Sequence, residues 1–183
     1  MLLPHLVTFP RSGSHYFAKI IYEKTMFNIQ RSHSINISFN NNNKKTKTIV
    51  TIARDPKDSI TSLIALDKMQ GFQMPDSKIN EVITYYIMFY SFLYEHADYV
   101  IDFKDLLLFP NNVVEKTLDL LKIDEQSYLK FPDHIDYDTK GLAKKSSKSF
   151  SIYKNIDLDK FDMELCYFYY NKLLSKAIKF EKA

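Results

Sequence analysis

Residues 6–16 read LVTFPRSGSHY, and this stretch sets the first unit of the fold. Its apolar, β-branched start, residues 6–9, predicts a buried strand that ends at Pro10. Over residues 14–24 the apolar side chains recur at helical spacing, which predicts a helix. A strand, a tight turn and a helix therefore follow one another, and Gly13, one of three glycines in the chain, lies in the turn.

Residues 48–62, TIVTIARDPKDSITS, repeat this order of strand, turn and helix. The β-branched run 48–53 predicts a second buried strand. The start of the helix is marked by Asp55 as N-cap, by Pro56 at the first helical position and by Asp58 at the third position of a capping box. Two strand-to-helix junctions of the same kind are thus expected.

The rest of the chain continues the alternation. Further strands are expected at 27–30 and 99–103, further helices at 79–97, 112–121 and 158–180, and polar stretches at 40–45 and 132–156. Such alternation predicts an α/β fold with a doubly wound, mostly parallel sheet that is flanked by helices. Because neither a repeat nor a linker divides the chain, residues 1–183 are expected to form a single domain.

The composition narrows the class of protein. The 183 residues are 45% hydrophobic and 26% charged, values typical of a globular domain, which disfavours disorder, collagen and coiled coil. No run approaches the roughly 18 apolar residues of a membrane span, and Pro4, His5 and Pro10 interrupt any leader-like core, so we expect a cytoplasmic protein without a membrane span. The single cysteine, Cys166, excludes an internal disulfide and a cysteine-based zinc site, and no metal is predicted.

The loop at residues 10–16 is the first candidate for a binding site. In doubly wound sheets ligands bind outside the carboxyl ends of the strands, and this loop joins such an end to a helix N-terminus, where free N–H groups attract anions. No Gly-Lys pair follows Gly13, which disfavours an ordinary nucleoside-triphosphatase. The plainer alternative is a simple turn that carries an exposed Arg11.

The second junction places Arg54 at a strand end and Ser62 two turns into the following helix. Arginine binds phosphate through two parallel hydrogen bonds, and a serine hydroxyl adds another donor. This pair is the second candidate for an anion site. The alternative is a capped helix whose arginine pairs with Asp55 or Asp58.

Together the two junctions resemble the sulfotransferases that use 3′-phosphoadenosine 5′-phosphosulfate (PAPS). The 5′-phosphosulfate loop of that family reads roughly P-[KR]-S-G-[ST]-[ST]-[WLF], and residues 10–16 here read PRSGSHY. Its 3′-phosphate element reads R-[DN]-P-x-D-x-x-x-S, and residues 54–62 match every fixed position. Residues 103–106, FKDL, with Pro110 are similar to a Y-E-D-L element of the family. The resemblance covers most of residues 5–125.

The resemblance implies a fold related to the P-loop kinases and a set of donor-binding residues. Arg11 would contact the bridging and sulfonyl oxygens, and Arg54 and Ser62 would hold the 3′-phosphate. The N–H groups of Ser12, Gly13, Ser14 and His15 would surround the 5′-phosphate. The rings of Tyr16 and Phe103 would lie against the adenine. For the two aromatic residues, a place in the core is the open alternative.

Beyond residue 125 the resemblance is looser. Residues 139–154 contain five lysines and no acid, and Lys140 and Gly141 are similar to the basic, glycine-containing loop with which many members close the site. Both are therefore candidates for contact with the donor. A run of lysines that only faces solvent is the alternative.

Transfer to a hydroxyl needs a general base, and histidine is the best matched at neutral pH. His33 lies 21 residues before Arg54, near the position where the small-molecule branch of the family carries its catalytic histidine. We therefore expect His33 to be the base. The alternatives are a surface histidine without a role, and His15 as the base.

The expected function is transfer of a sulfonate group from PAPS to a hydroxyl or amine of a small-molecule or saccharide acceptor. A protein that binds 3′-phosphoadenosine 5′-phosphate (PAP) without catalysis is one alternative. A module that binds nucleic acid or another polyanion is a second, which the net charge of only +3 disfavours. The acceptor and the oligomeric state stay open.

Overall fold

The computed structural model describes residues 3–25, 29–34, 45–123 and 156–179. The elements in chain order are β1 (Leu3–Val7), α1 (Ser14–Thr25), β2 (Gln30–Ser32), β3 (Lys47–Ala53), α2 (Pro56–Met69), α3 (Asp76–His96), β4 (Tyr99–Asp102), α4 (Phe103–Leu108), α5 (Pro110–Leu120) and α6 (Glu164–Leu174). None of the described helices is both long enough and apolar enough to cross a membrane.

The four strands form one sheet in the order β2-β1-β3-β4, and every neighbouring pair is parallel. The chain leaves β1 toward β2 and then returns to place β3 on the other side of β1. The direction of winding therefore reverses between β1 and β3, which is the point where ligands bind in open α/β sheets. This arrangement confirms the predicted α/β class with a parallel sheet flanked by helices.

Each face of the sheet packs against its own layer of helices. The side chains of β3 alternate between the layers, with Ile49 and Ala53 in the cluster formed with α2, α3 and α6, and Val50 and Ile52 in the cluster formed with α1 and α5. A strand covered on both faces is predominantly apolar, which explains the β-branched run in its sequence. Apolar residues, several of them aromatic, recur along α3 at helical spacing, and this stripe is buried in the first cluster, as the spacing predicts.

Helix α2 begins as the sequence predicts. Pro56 is its first residue, and the Asp55 carboxylate accepts a hydrogen bond from the N–H of Asp58 at 3.2 Å. The cap satisfies an N–H that has no partner within the helix and fixes the angle at which the chain leaves β3.

Several predicted bounds are wrong. Strand β1 ends at Val7 rather than at residue 9, and β2 occupies residues 30–32 rather than 27–30, of which 27 and 28 lie outside the described residues. Strand β4 ends at Asp102, because the carboxylate of Asp102 accepts from the N–H of Lys104 and starts α4 at Phe103.

The last helix is shorter than the predicted 158–180. Asp162 accepts a hydrogen bond from the N–H of Glu164 and thereby defines where α6 begins. After Leu174 the chain turns, and Ala177 forms a parallel bridge with Val100 of β4. At the start of α6, a side chain that bonds to a backbone N–H thus limits the helix. At its end, pairing with the edge strand β4 takes the place of further helix.

Candidate functional site

The two predicted junctions meet at the reversal point between β1 and β3. Arg54 Nη1 donates a hydrogen bond to the carbonyl oxygen of Arg11 at 2.7 Å. Arg11 Nε in turn donates to Ser62 Oγ at 3.1 Å. The structure therefore brings together three candidate residues that are as many as 51 positions apart in the sequence.

The loop after β1 has an unusual backbone. The N–H of Ser12 donates to the carbonyl of Phe9 at 3.2 Å and closes a tight turn. Arg11 has φ 67° and Gly13 has φ 91°, so both lie in the left-handed region. For a residue with a side chain this conformation is costly, and residues held in it are concentrated at functional sites. The turn presents Arg11 next to the start of α1.

The first turn of α1 is where the predicted anion-binding site lies. Helix α1 begins at Ser14, and its first backbone bond to the loop runs from the N–H of Phe17 to the carbonyl of Gly13 at 3.1 Å. The N–H of Ser12 is used within the turn. The N–H groups at 13–15 precede the first helical hydrogen bond, so they are the backbone donors that an anion would meet.

The ring of Phe103 contacts both junctions. The guanidinium of Arg54 lies over its ring, with Cζ 4.6 Å from the ring centroid. The same ring packs so closely on Gly13 that an added Cβ there would lie 2.7 Å from Phe103 Cε2. Tyr16 is half-buried and, like Phe103, packs against the cluster formed with α1 and α5. The structure thus supports a packing role for both aromatic residues, and their contact with adenine stays a prediction.

Two buried tyrosines of α3 fix the backbone of Arg54. The hydroxyl of Tyr90 accepts from the N–H of Arg54 at 3.0 Å and donates to its carbonyl at 3.1 Å. The hydroxyl of Tyr86 donates to the same carbonyl at 2.9 Å, and the two rings are stacked with centroids 4.0 Å apart. In the sequence, the apolar helical spacing of residues 79–97 indicates only that both tyrosines belong to the core. Their spacing of four residues on one helix face was the signal available for a shared partner.

The charges at the junctions favour an anion. Neither Arg11 nor Arg54 forms an ion pair with a carboxylate of the described residues, and the nearest acid in sequence, Asp55, caps α2. Burial, and then the neighbouring Arg54, lower the pKa of Arg11. Two guanidinium groups held side by side repel each other, and a bound anion would relieve that repulsion.

His33 lies at the carboxyl end of β2, beside the loop after β1. Its Nδ1 lies 2.7 Å from the carbonyl oxygen of Thr8, to which it donates, and its own carbonyl accepts from the hydroxyl of Tyr85 at 2.7 Å. A neutral ring that donates from Nδ1 has its lone pair on Nε2. His33 thus has the tautomer that a base acting through Nε2 requires.

His15 has a different partner. Its Nδ1 accepts a hydrogen bond from Arg31 Nη1 at 2.5 Å, since a guanidinium can only donate. Burial, followed by Arg31, His33 and Arg11, lowers the pKa of His15, which favours the neutral ring. Arg31 is not among the predicted site residues, although it lies at the end of β2, two residues before His33, and a strand-end position is the same signal that selected Arg54.

A cleft of about 430 Å³ opens beside these residues. Ile29 lines it together with the polar residues Ser14, His15, Gln30, Arg31, Ser32 and His33. The cleft therefore adjoins the N-terminus of α1 and contains both candidate bases.

Two residues predicted to contact the donor, Lys140 and Gly141, lie outside the described residues. The whole basic segment 139–154 does so as well, and the prediction for this segment stays open. Within the described ranges, no group of three or more histidine, cysteine, aspartate or glutamate side chains is arranged to hold a metal ion.

Comparison of this chain with family models, with curated proteins and with solved structures finds no match. What bears on function is therefore the geometry of the site itself. That geometry consists of Arg54 in contact with Arg11 beside the N-terminus of α1, Ser62 hydrogen-bonded to Arg11, and an adjoining polar cleft lined by His15 and His33.

Proposed function

We propose that the protein is a sulfotransferase that transfers a sulfonate group from PAPS to a hydroxyl or amine of a small-molecule or saccharide acceptor. The observation that carries the proposal is the convergence of the two junctions, in which Arg54 contacts Arg11 and Arg11 contacts Ser62. A nucleotide with phosphates at both the 5′ and the 3′ position needs two anion sites of this kind, a short distance apart.

The donor would use both sites. Its 5′-phosphosulfate would lie on the N–H groups at 13–15 and on Arg11, and its 3′-phosphate would lie on Arg54 and Ser62. Ser62 Oγ accepts from Arg11 and still has its own proton to donate to a phosphate oxygen. This assignment rests on the sequence motifs at residues 10–16 and 54–62 and on the contacts between them. A relation to the P-loop kinase fold is part of the same proposal.

The reaction would proceed by in-line attack. The acceptor oxygen forms a bond to sulfur while the bond from sulfur to the bridging phosphate oxygen breaks, and PAP leaves. Arg11 would stabilise the negative charge on the leaving phosphate, and His33 Nε2 would take the acceptor proton. The hydrogen bond from His33 Nδ1 to Thr8 supports this role, because it orients the ring and keeps Nε2 unprotonated in the neutral form.

The proposal is tested by calorimetry with PAP and with AMP, which lacks the 3′-phosphate. A charge-assisted contact is worth about 1.5–3 kcal/mol, so wild type should bind PAP about ten- to a hundredfold more tightly than AMP. Arg54→Ala should remove most of that preference, whereas Lys68→Ala, on the exposed last turn of α2, should keep it. Equal affinity of wild type for the two nucleotides would falsify the donor assignment.

A second measurement separates an enzyme from a protein that only binds nucleotide. Transfer of the sulfonate group is followed with a panel of phenols, saccharides and amines. PAP binding without transfer to any of them would favour the non-catalytic alternative.

A further inference from the structure

The cleft beside the donor loop has a composition that points to the class of acceptor. Its volume of about 430 Å³ lies in the range of sites for small molecules. Among the described residues, its polar lining contains one arginine and two histidines but no aspartate or glutamate. A cleft lined by one sign of charge concentrates ligands of the opposite sign.

Arg31 is the charged group that a ligand would meet. It is exposed at the end of β2, and one of its five N–H donors bonds to His15. Within the described residues no carboxylate forms an ion pair with it. The remaining donors form a planar fork that matches the two oxygens of a carboxylate.

His15 fixes the orientation of the Arg31 guanidinium. Because its neutral ring accepts from Nη1 at 2.5 Å, this hydrogen bond orients the guanidinium beside the His15 ring, which lines the same cleft. A side chain that is already oriented loses less conformational entropy when it binds a ligand.

We propose that the acceptor carries a carboxylate, which Arg31 binds in this cleft, and presents its hydroxyl to His33. The inference rests on the proposed function, because it names the substrate class of the same site. His33 lines the same cleft as Arg31, so an acceptor anchored by its acid group would have the base within the same cavity.

The test uses pairs of compounds that differ in charge and little else. These are 4-hydroxybenzoate with 4-hydroxybenzamide, and glucuronate with glucuronamide. Binding of each compound is measured by NMR titration, both without nucleotide and with saturating PAP, to wild type, Arg31→Gln and Arg31→Lys. Lys68→Gln serves as the control for loss of one positive charge elsewhere. PAP affinity of every variant is measured separately.

We expect at least one acid to bind wild type about tenfold or more tightly than its amide, the size of effect that a charge-assisted pair gives. Arg31→Gln should abolish the preference, Arg31→Lys should keep part of it, and Lys68→Gln should keep all of it. PAP affinity of Arg31→Gln should stay within about threefold of wild type.

Three results would overturn the inference: equal binding of acids and amides, no binding of any of the four compounds, or a loss of PAP affinity in Arg31→Gln as large as in Arg11→Ala. The last result would assign Arg31 to the donor. Failure of the proposed function is recognised separately, as wild type that does not bind PAP, and the titrations without nucleotide still measure the preference of the cleft for an acid.

Discussion

Gly13 and Phe103 are in such close contact that any side chain at position 13 would overlap the ring, with an added Cβ 2.7 Å from Phe103 Cε2. The contact joins the loop after β1 to the start of α4, and the same ring lies under the guanidinium of Arg54. A single aromatic side chain thus contacts both junctions.

Gly13→Ala should destabilise the protein and weaken PAP binding. Two costs add, since alanine is disfavoured at φ 91° and its Cβ would clash with Phe103. Backbone strain costs about 1–3 kcal/mol, and overpacking costs a further 1–3 kcal/mol or so. The free energy of unfolding from urea titration, together with calorimetry for PAP, measures both effects.

Gly71 provides the matched control. It has nearly the same φ, 89°, but a Cβ added there meets nothing within 4 Å. Gly71→Ala should therefore show the backbone cost alone and leave PAP affinity unchanged. Equal destabilisation by the two substitutions would show that the contact with Phe103 is unimportant. Combining Gly13→Ala with Phe103→Leu should recover part of the lost stability.

Tyr90→Phe should be more harmful than Tyr86→Phe. Loss of the Tyr90 hydroxyl removes the partner of the Arg54 N–H, and an unsatisfied buried donor costs about 1–3 kcal/mol. Loss of the Tyr86 hydroxyl removes only one of two donors to the Arg54 carbonyl, so we expect roughly 0.5–1.5 kcal/mol. Urea unfolding of the two variants measures the difference.

The effect on binding should follow the same order. Without its bond to Tyr90 the backbone of Arg54 is less well fixed, so PAP affinity should fall in Tyr90→Phe while AMP affinity changes less. A parallel loss for both nucleotides would mean that Tyr90 stabilises the fold without positioning Arg54 for the 3′-phosphate.

The two junctions were predictable because their signals are local. Asp55 and Pro56 mark a helix start in any context, and the carboxyl ends of parallel strands share one edge of the sheet. From these two facts the approach of Arg11 and Arg54 could be expected. Their contact through the carbonyl of Arg11 could not, because it depends on the left-handed conformation of a non-glycine residue.

Other features depend on contacts between distant segments. The end of the last helix was predicted too late, because the apolar spacing does not reveal that Ala177 pairs with the edge of β4. For Tyr90, its spacing from Tyr86 places both residues on one helix face. The bonds to Arg54 were not predictable, since a buried aromatic stripe looks the same whether or not its hydroxyl groups have partners. The position of Arg31 at the end of β2 was a signal in the sequence, but its contact with the His15 ring, 16 residues earlier, was not predictable.

Stability should fall between pH 6.5 and pH 4 because of His5. This residue is fully buried in β1, and burial, with Lys47 second, lowers its pKa to about 4. Between pH 6.5 and 4 the unfolded chain binds a proton that the folded protein excludes, so the free energy of unfolding decreases as the pH is lowered through this window. At 1.36 kcal/mol per pKa unit the full effect is roughly 3 kcal/mol.

Urea unfolding at pH 7 and pH 5 measures this dependence. Wild type should lose about 2 kcal/mol between the two values through His5. The variant His5→Val places a β-branched residue in the strand. Its free energy of unfolding should decrease by about 2 kcal/mol less than that of wild type between pH 7 and pH 5, whatever its stability at pH 7. The same pH dependence in both proteins would exclude His5 as its source.

His33→Gln should separate catalysis from donor binding. The side chain of His33 donates to Thr8 and lies outside the arginine pair, so PAP affinity should stay within a few-fold of wild type. Loss of a general base lowers turnover by about 10² to 10⁴. Arg11→Ala should instead reduce both PAP affinity and turnover, because Arg11 would contact the donor and its leaving phosphate. The assay is transfer to the best acceptor found, or reverse transfer from an aryl sulfate to PAP.

His15 is the control for this assignment, since it lies in the same cleft but its Nδ1 is occupied by Arg31. His15→Gln can still accept a hydrogen bond from Arg31, so it should retain most of the turnover. If His15→Gln is inactive while His33→Gln turns over at the wild-type rate, the base is His15, and only the donor half of the proposal remains.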